Sequence, residues 1–225
     1  MDDLFKHVLS QCSSALQLAE VELPPELART KYPFNALELV CRNWRSERLR
    51  KIYCMRMKVR VPQLDILGMA FHPEPCFDAP LFIFDLTCTK KKIIAYINVC
   101  AAIDDAAYYE KYMKPFEQVA RRYDHFQPFK MPEWMQYYRT GSTIYTDPAL
   151  NFLDELKACI KDYFGLYLPM LTAAEKISDP QKLEAVERAH ARFVNDVLTK
   201  DRSQIMLGKV IGKEKAGRLF HGVLT

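Results

Sequence analysis

Glycine is scarce in this chain, with 7 residues in 225. None falls in a G-x-G-x-x-G arrangement, which excludes the fingerprint that cradles a dinucleotide pyrophosphate. The seven cysteines, at 12, 41, 54, 76, 88, 100 and 159, include no C-x-x-C pair. Zinc and iron–sulfur ligand spacing is therefore missing, and no metal site is expected. No run of about 18 apolar residues exists, so no membrane-spanning segment is expected. The first residues, MDDLFKHVLSQCSSALQLAE, are acidic at once and amphipathic, unlike a secretory signal. Scattered cysteines in apolar surroundings predict buried thiols, and with them a cytoplasmic protein. Internal repeats, low-complexity tracts and an obvious linker are also lacking.

What is present is a chain that is 49% hydrophobic and 27% charged. That composition and length suit one domain over 1–225 with a substantial core. A helix is predicted over 2–19, ending before Pro24–Pro25. Strands are predicted near 38–45, 51–61, 64–71, 80–88 and 92–100, and another near 138–146. Helices are predicted over 104–122, 148–166, 179–199 and 212–222, the first opened by Asp104–Asp105. Strands grouped early and helices late imply an α/β fold, an antiparallel sheet with helices on its faces.

The stretch 64–102, LDILGMAFHPEPCFDAPLFIFDLTCTKKKIIAYINVCAA, carries the chemistry. Within LFIFDLTC, Leu81, Ile83, Asp85 and Thr87 share one face, and Phe82, Phe84, Leu86 and Cys88 the other. Apolar residues on both faces mark a strand covered on both sides. A carboxyl there either finds a partner or keeps its proton, and a carboxylic acid neutral near pH 7 is a proton donor. The alternative is an aspartate near a strand end, solvated or bonded to a backbone amide. Both readings stand on spacing alone.

The formal net charge of +4 is unevenly spread. Arg42, Arg45, Arg48, Arg50 and Lys51 cluster, followed by Arg56, Lys58 and Arg60, and Lys90–Lys92 form a hairpin tip. A solvated face is one reading; a positive surface that steers an acidic partner is the other. No nucleic-acid motif is present, so no nucleic-acid partner is expected.

Taken in order, LDILGMAFHPEP, the proline before LFIFD, the central Asp85, MPEW and the closing KDRSQIMLGKVIGKEKAGRLFHGVL resemble the ferredoxin-dependent bilin reductases. The similarity covers most of residues 38–222. It implies a three-layer α/β/α sandwich with a central antiparallel sheet. A linear tetrapyrrole would lie between the sheet and the C-terminal helices. It also implies reduction of biliverdin or a related bilin to a phycobilin, without a tightly bound cofactor. Reduced ferredoxin would supply the electrons, and the basic clusters would dock it.

The resemblance assigns roles by position. Asp85 matches the acid that protonates the bilin, and Asp201 a second acid that acts on the A-ring side in several members. Arg202 stands where the family often has a basic residue near a propionate, and Glu74 where a loop glutamate frames the pocket. Read without the resemblance, Asp201 is a helix cap, Arg202 a surface charge and Glu74 a turn residue. Two departures are plain. Gly68 occupies the substrate-facing position where phycocyanobilin-forming members carry histidine and a phycoerythrobilin-forming type carries asparagine. Tyr145–Thr146–Asp147 stands where many members have an arginine. His72, on the same strand, is a candidate substitute for the histidine missing at Gly68. A bilin carrier or sensor without catalysis is the second reading, and a reductase of another tetrapyrrole the third.

Overall fold

The computed structural model describes residues 1–32, 34 and 36–224. Helix α1 (Asp2–Ala15) leads to β1 (Ala19–Val21), α2 (Pro25–Ala28) and β2 (Arg29–Lys31). The central run follows as β3 (Leu37–Arg45), β4 (Leu49–Val59), β5 (Leu64–Pro73), β6 (Leu81–Cys88) and β7 (Ile93–Cys100). These five strands form an antiparallel meander, with β8 (Ile144–Thr146) on the far edge beside β7. The short β1 and β2 both pair with β3 on the opposite edge.

One face of the sheet is a sealed core. Phe71 on β5 and Phe82 on β6 pack against Tyr163, Phe164 and Tyr167 of α6 (Leu153–Ala173), and Phe84 packs against Phe82. All six are essentially inaccessible. Each contributes roughly 1.5–3 kcal/mol by burial, which makes this face the main source of stability. Helix α1 packs here through Leu4, Val8 and Cys12, which recur at the four-residue spacing of a helix face.

Residues 104–122 fold as a composite helix. Its parts are α3 (Ala106–Tyr108), a π turn over Tyr109–Met113, α4 (Lys114–Ala120) and a 3₁₀ turn over Arg121–Tyr123. Asp105 caps it by accepting a hydrogen bond from the Tyr108 N–H at 2.7 Å. The MPEW segment folds as a single turn, α5 (Glu133–Gln136), with Pro132 at its N-cap.

The other face is covered by α7 (Pro180–Lys200), α8 (Arg202–Ile211) and α9 (Lys213–Leu224). Asp179 caps α7 by accepting from the Gln181 N–H at 2.8 Å, and Pro180 fits the first helical position. Gly212, at φ +89°, turns the chain between α8 and α9 in a conformation that favours glycine. Helices on both faces of the antiparallel sheet make the predicted α/β/α layering.

The structure corrects the sequence reading at several places. The first helix stops at Ala15, because residues 19–21 pair with β3 instead. The strand predicted near 138–146 is only Ile144–Thr146; residues 140–143 form a turn held by Thr140 and Thr143. Helix α8 was not foreseen, because Gly208, a poor helix former, falls inside it. Of the cysteines, Cys76 is exposed in the loop after β5 and Cys88 half-buried, while the other five are buried. Among the described residues, no helix is long and apolar enough to cross a membrane.

Candidate active site

The register of the sheet fixes the site. Cys41, Met55, Gly68, Asp85, Tyr96 and Tyr145 lie in one row across β3 to β8, each opposite the next. All point toward α7–α9, because residues paired across antiparallel strands share a face. On this face the sheet is not sealed. Tyr53, Met55, Met57, Asp85, Thr87, Ile94 and Tyr145 each keep partial exposure. The next residues along β4 on the other face, Ile52 and Cys54, are buried. This partly exposed, mostly apolar floor beneath the helical layer is the candidate recess, and Asp85 lies on it.

Asp85 owes its environment to its neighbours. A Cβ at position 68 would lie 2.9 Å from Asp85 Oδ2, so the absence of a side chain at Gly68 makes room for this oxygen. Oδ1 accepts a hydrogen bond from the Thr87 hydroxyl at 3.0 Å. Oδ2 takes no hydrogen bond from the described residues, and it is the oxygen left to hold a proton. The carboxyl is ringed by protein yet retains a narrow opening to solvent, as befits a group on the floor of a recess. Burial pushes its pKa up to about 7; the Thr87 bond opposes the rise, and the Asp201 carboxylate adds to it. Asp85 is thus a neutral acid for a substantial part of its population near pH 7.

Asp201 comes from the opposite wall. It ends α7 and caps α8, accepting from the Ser203 N–H at 2.8 Å. Its charge reaches not only Asp85 but also Tyr53 and Tyr145, whose hydroxyl pKa values rise through burial first and the two aspartates next. Two carboxyls therefore face one space from the sheet and from the helices, with a tyrosine on either side.

The structure brings Asp85, Gly68 and Asp201 together. Arg202 is exposed on the first turn of α8, beside the rim. Glu74 follows β5, six residues beyond Gly68 and roughly 20 Å along the strand at its usual rise. Its backbone braces a turn, donating to the Arg48 carbonyl and accepting from the Phe77 N–H, both at 3.0 Å. His72 is fully buried at the closed end, its ring 6.4 Å from that of Tyr53. Thr87, Tyr53 and Tyr145 escaped the sequence reading as site residues. The alternation in β4 put Tyr53, Met55 and Met57 on one face, but only the register places that face beside Asp85.

Several cations of the basic cluster already have partners. Arg42 holds both carboxylate oxygens of Glu20 at 2.8 Å, and Arg56 pairs with Asp2 and Asp65. Arg48 donates to the carbonyls of Leu171 and Ala174 at 3.2 and 2.8 Å, tying the β3–β4 turn to the end of α6. Lys92 pairs with Asp147 at 2.5 Å. Arg45, Arg50, Lys90 and Lys91 remain exposed.

Comparison with known proteins bears on the family and the fold. The family described as ferredoxin-dependent bilin reductase matches residues 5–225. A phycoerythrobilin:ferredoxin oxidoreductase of Nostoc punctiforme is 28% identical over 166 residues, covering 72% of this chain and 65% of the relative. One of Gloeobacter violaceus is 28% identical over 186 residues, covering 80% of this chain and 76% of the relative. The crystal structure of phytochromobilin synthase from tomato, in complex with biliverdin, superposes with a TM-score of 0.90 at 20% identity. That match covers all of this chain and 84% of the tomato chain, and it shows the shared fold. With a family match over nearly its whole length, the chain belongs to the ferredoxin-dependent bilin reductases, oxidoreductases of linear tetrapyrroles.

Proposed function

We propose that this chain, as one domain over 1–225, reduces biliverdin or a related bilin to a phycobilin with electrons from reduced ferredoxin. The observation that carries the reading is Asp85: burial raises its pKa to about 7, and its Oδ2, on the sheet face opposite Asp201, takes no hydrogen bond from the described residues. The recess between the sheet and α7–α8 suits a flat, largely apolar tetrapyrrole. Met55, Met57 and Ile94 offer it apolar contact, and Tyr53 and Tyr145 add ring surfaces.

Reduction of one double bond needs two electrons and two protons. The electrons arrive singly from ferredoxin. Asp85 gives a proton from Oδ2 to the bilin as negative charge builds on it, and the Thr87 hydroxyl then stabilises the carboxylate left behind. Asp201 serves as the second acid from the helical wall. Arg202 at the rim pairs with a propionate, and Glu74 holds the turn that frames the far end. Gly68 supplies no proton of its own; its part is the space that lets Oδ2 face the ligand. The exposed Arg45, Arg50, Lys90 and Lys91 steer the acidic donor protein to this molecule. The protein works in the cytoplasm without a tightly held cofactor.

Anaerobic incubation with biliverdin, ferredoxin and ferredoxin reductase, followed by product chromatography, tests the proposal. A reduced bilin is the expected result. Bound biliverdin returned unchanged would favour a carrier or sensor instead.

A further inference from the structure

The closed end of the recess holds two polar side chains that the reaction above leaves unused. His72 on β5 and His190 on α7 are 0% and 2% exposed. All four of their ring nitrogens lack a hydrogen-bond partner among the described residues. Phe193, one turn after His190 on α7, lies with its ring 6.0 Å from that of His72, so the helix delivers His190 to the same spot. The Tyr53 ring centre lies 6.4 Å from that of His72, and Tyr53 is within electrostatic reach of Asp85 and Asp201. The cations acting on the pair are Arg50 and Lys51 of β4, and Arg50 is exposed. Arg50 acts on both histidines, His190 acts on His72, and Asp85 acts on Tyr53, so these groups lie within electrostatic reach of one another.

Buried polar groups are almost always paired, and a buried site with several donors and acceptors holds water. A neutral imidazole offers one donor and one acceptor on opposite sides of its ring, the arrangement that passes a proton from one side to the other. Burial and then Arg50 push the pKa of both rings down, and His190 and Lys51 add to this at His72, which favours neutral imidazoles. We propose that His72 and His190, linked by water, form a proton relay that restores Asp85 through the Tyr53 hydroxyl. This rests on the reductase reading, because only turnover empties Asp85 of its proton.

The balance is simple. Each double bond reduced takes two electrons from two ferredoxins and two protons. When Asp85 has given a proton, Tyr53 passes one to the carboxylate and regains it from the His72 side. His72 takes a proton on one nitrogen and releases one from the other, and His190 does likewise from water near Arg50. No net charge stays on either ring. Both histidines act through Asp85 and are positioning residues, without contact to the bilin.

The test uses the full chain with biliverdin, reduced ferredoxin and ferredoxin reductase. His72→Phe and His190→Phe should bind biliverdin as the native protein does. Each should slow turnover about tenfold or more, in the lower range of what acid–base groups contribute. Their solvent deuterium isotope effect should exceed that of the native protein; in His72→Ala and His190→Ala, which leave a ring-sized space, added free imidazole should restore much of the rate. If His72→Phe fails to fold by circular dichroism, His72→Gln decides. It keeps a donor and an acceptor but cannot pass a proton through a ring, so it should fold and still be slow. Variants with native rates, slow alanine variants that imidazole does not rescue, or weakened biliverdin binding would each overturn the relay. Native protein that leaves biliverdin unreduced would instead overturn the reductase reading.

Discussion

Gly68 lies directly across from Asp85 in adjacent strands, and a Cβ on it would come within 2.9 Å of the Asp85 carboxyl oxygen. The residue that lacks a side chain thereby decides where its neighbour's acidic proton points. The crowding group in Gly68→Ala would be the end of a side chain, which moves easily. The added methyl should therefore alter stability by about 1 kcal/mol or less, the gain from lost chain entropy offsetting the contact. Turnover should fall more, about tenfold or beyond, because a displaced acid transfers protons poorly. Urea unfolding and steady-state turnover, measured side by side, separate the two effects.

Asp201 has two duties that substitution can divide. Asparagine caps a helix about as well as aspartate, whereas alanine costs about 1 kcal/mol. Asp201→Asn should keep the stability of the native protein and change which double bond is reduced, or block a second reduction. Asp201→Ala should show the same product change with a lower unfolding midpoint. A native product profile from Asp201→Asn would leave this residue as a cap only.

The pH dependence has a definite sign. The folded pKa of Asp85, about 7, lies above its ordinary value of 3.8. Between those values the folded protein binds this proton more tightly than the unfolded chain does. The contribution of Asp85 to stability is therefore full below about pH 4 and declines as pH rises toward 7. His72 and His190, held below their ordinary 6.5, act oppositely: their contribution is full above that value and is lost as pH falls. Unfolding midpoints taken across this range should show Asp85→Asn gaining on the native protein as pH rises. Turnover of the native protein should decline above about pH 7, where the donor loses its proton.

Docking by charge predicts salt sensitivity. Ferredoxin-driven turnover should weaken as salt rises, because exposed charges are screened within about 10 Å at 0.1 M ionic strength. Lys91→Glu should slow turnover and leave biliverdin binding intact. Arg48→Ala should behave differently and lower the unfolding midpoint, since Arg48 is bonded to the carbonyls at the end of α6. Turnover indifferent to both salt and Lys91→Glu would mark the lysine tip as merely solvated.

The five long strands were legible because each alternates or runs apolar between clear turns, and their bounds fall within a few residues of the predicted ones. Asp85 stood out as the single acid in LFIFDLTC. The short strands β1 and β2 were not legible, since three residues carry no period and their pairing depends on distant partners; β8 was expected within a strand near 138–146 and is only its last three residues. The end of α7 was legible, with the helix bounded at 199 and Asp201 read as a cap; helix α8 was not, because Gly208, a poor helix former, falls inside its ten residues. Gly68 and Asp85 are 17 positions apart, and only the register between β5 and β6 makes them neighbours. Tyr145 joins their row from a strand of three residues, beyond the reach of pattern alone.

The central claim is that Asp85 donates the proton, and Asp85→Asn tests it most directly. Asparagine keeps the shape and removes the acid, so the variant should fold and bind biliverdin. With reduced ferredoxin under anaerobic conditions it should stall after the first electron and accumulate a one-electron-reduced bilin visible by electron paramagnetic resonance. Product formation should drop by about 10²–10⁴-fold, the usual share of a general acid. An Asp85→Asn protein that forms the native product at the native rate would contradict the account.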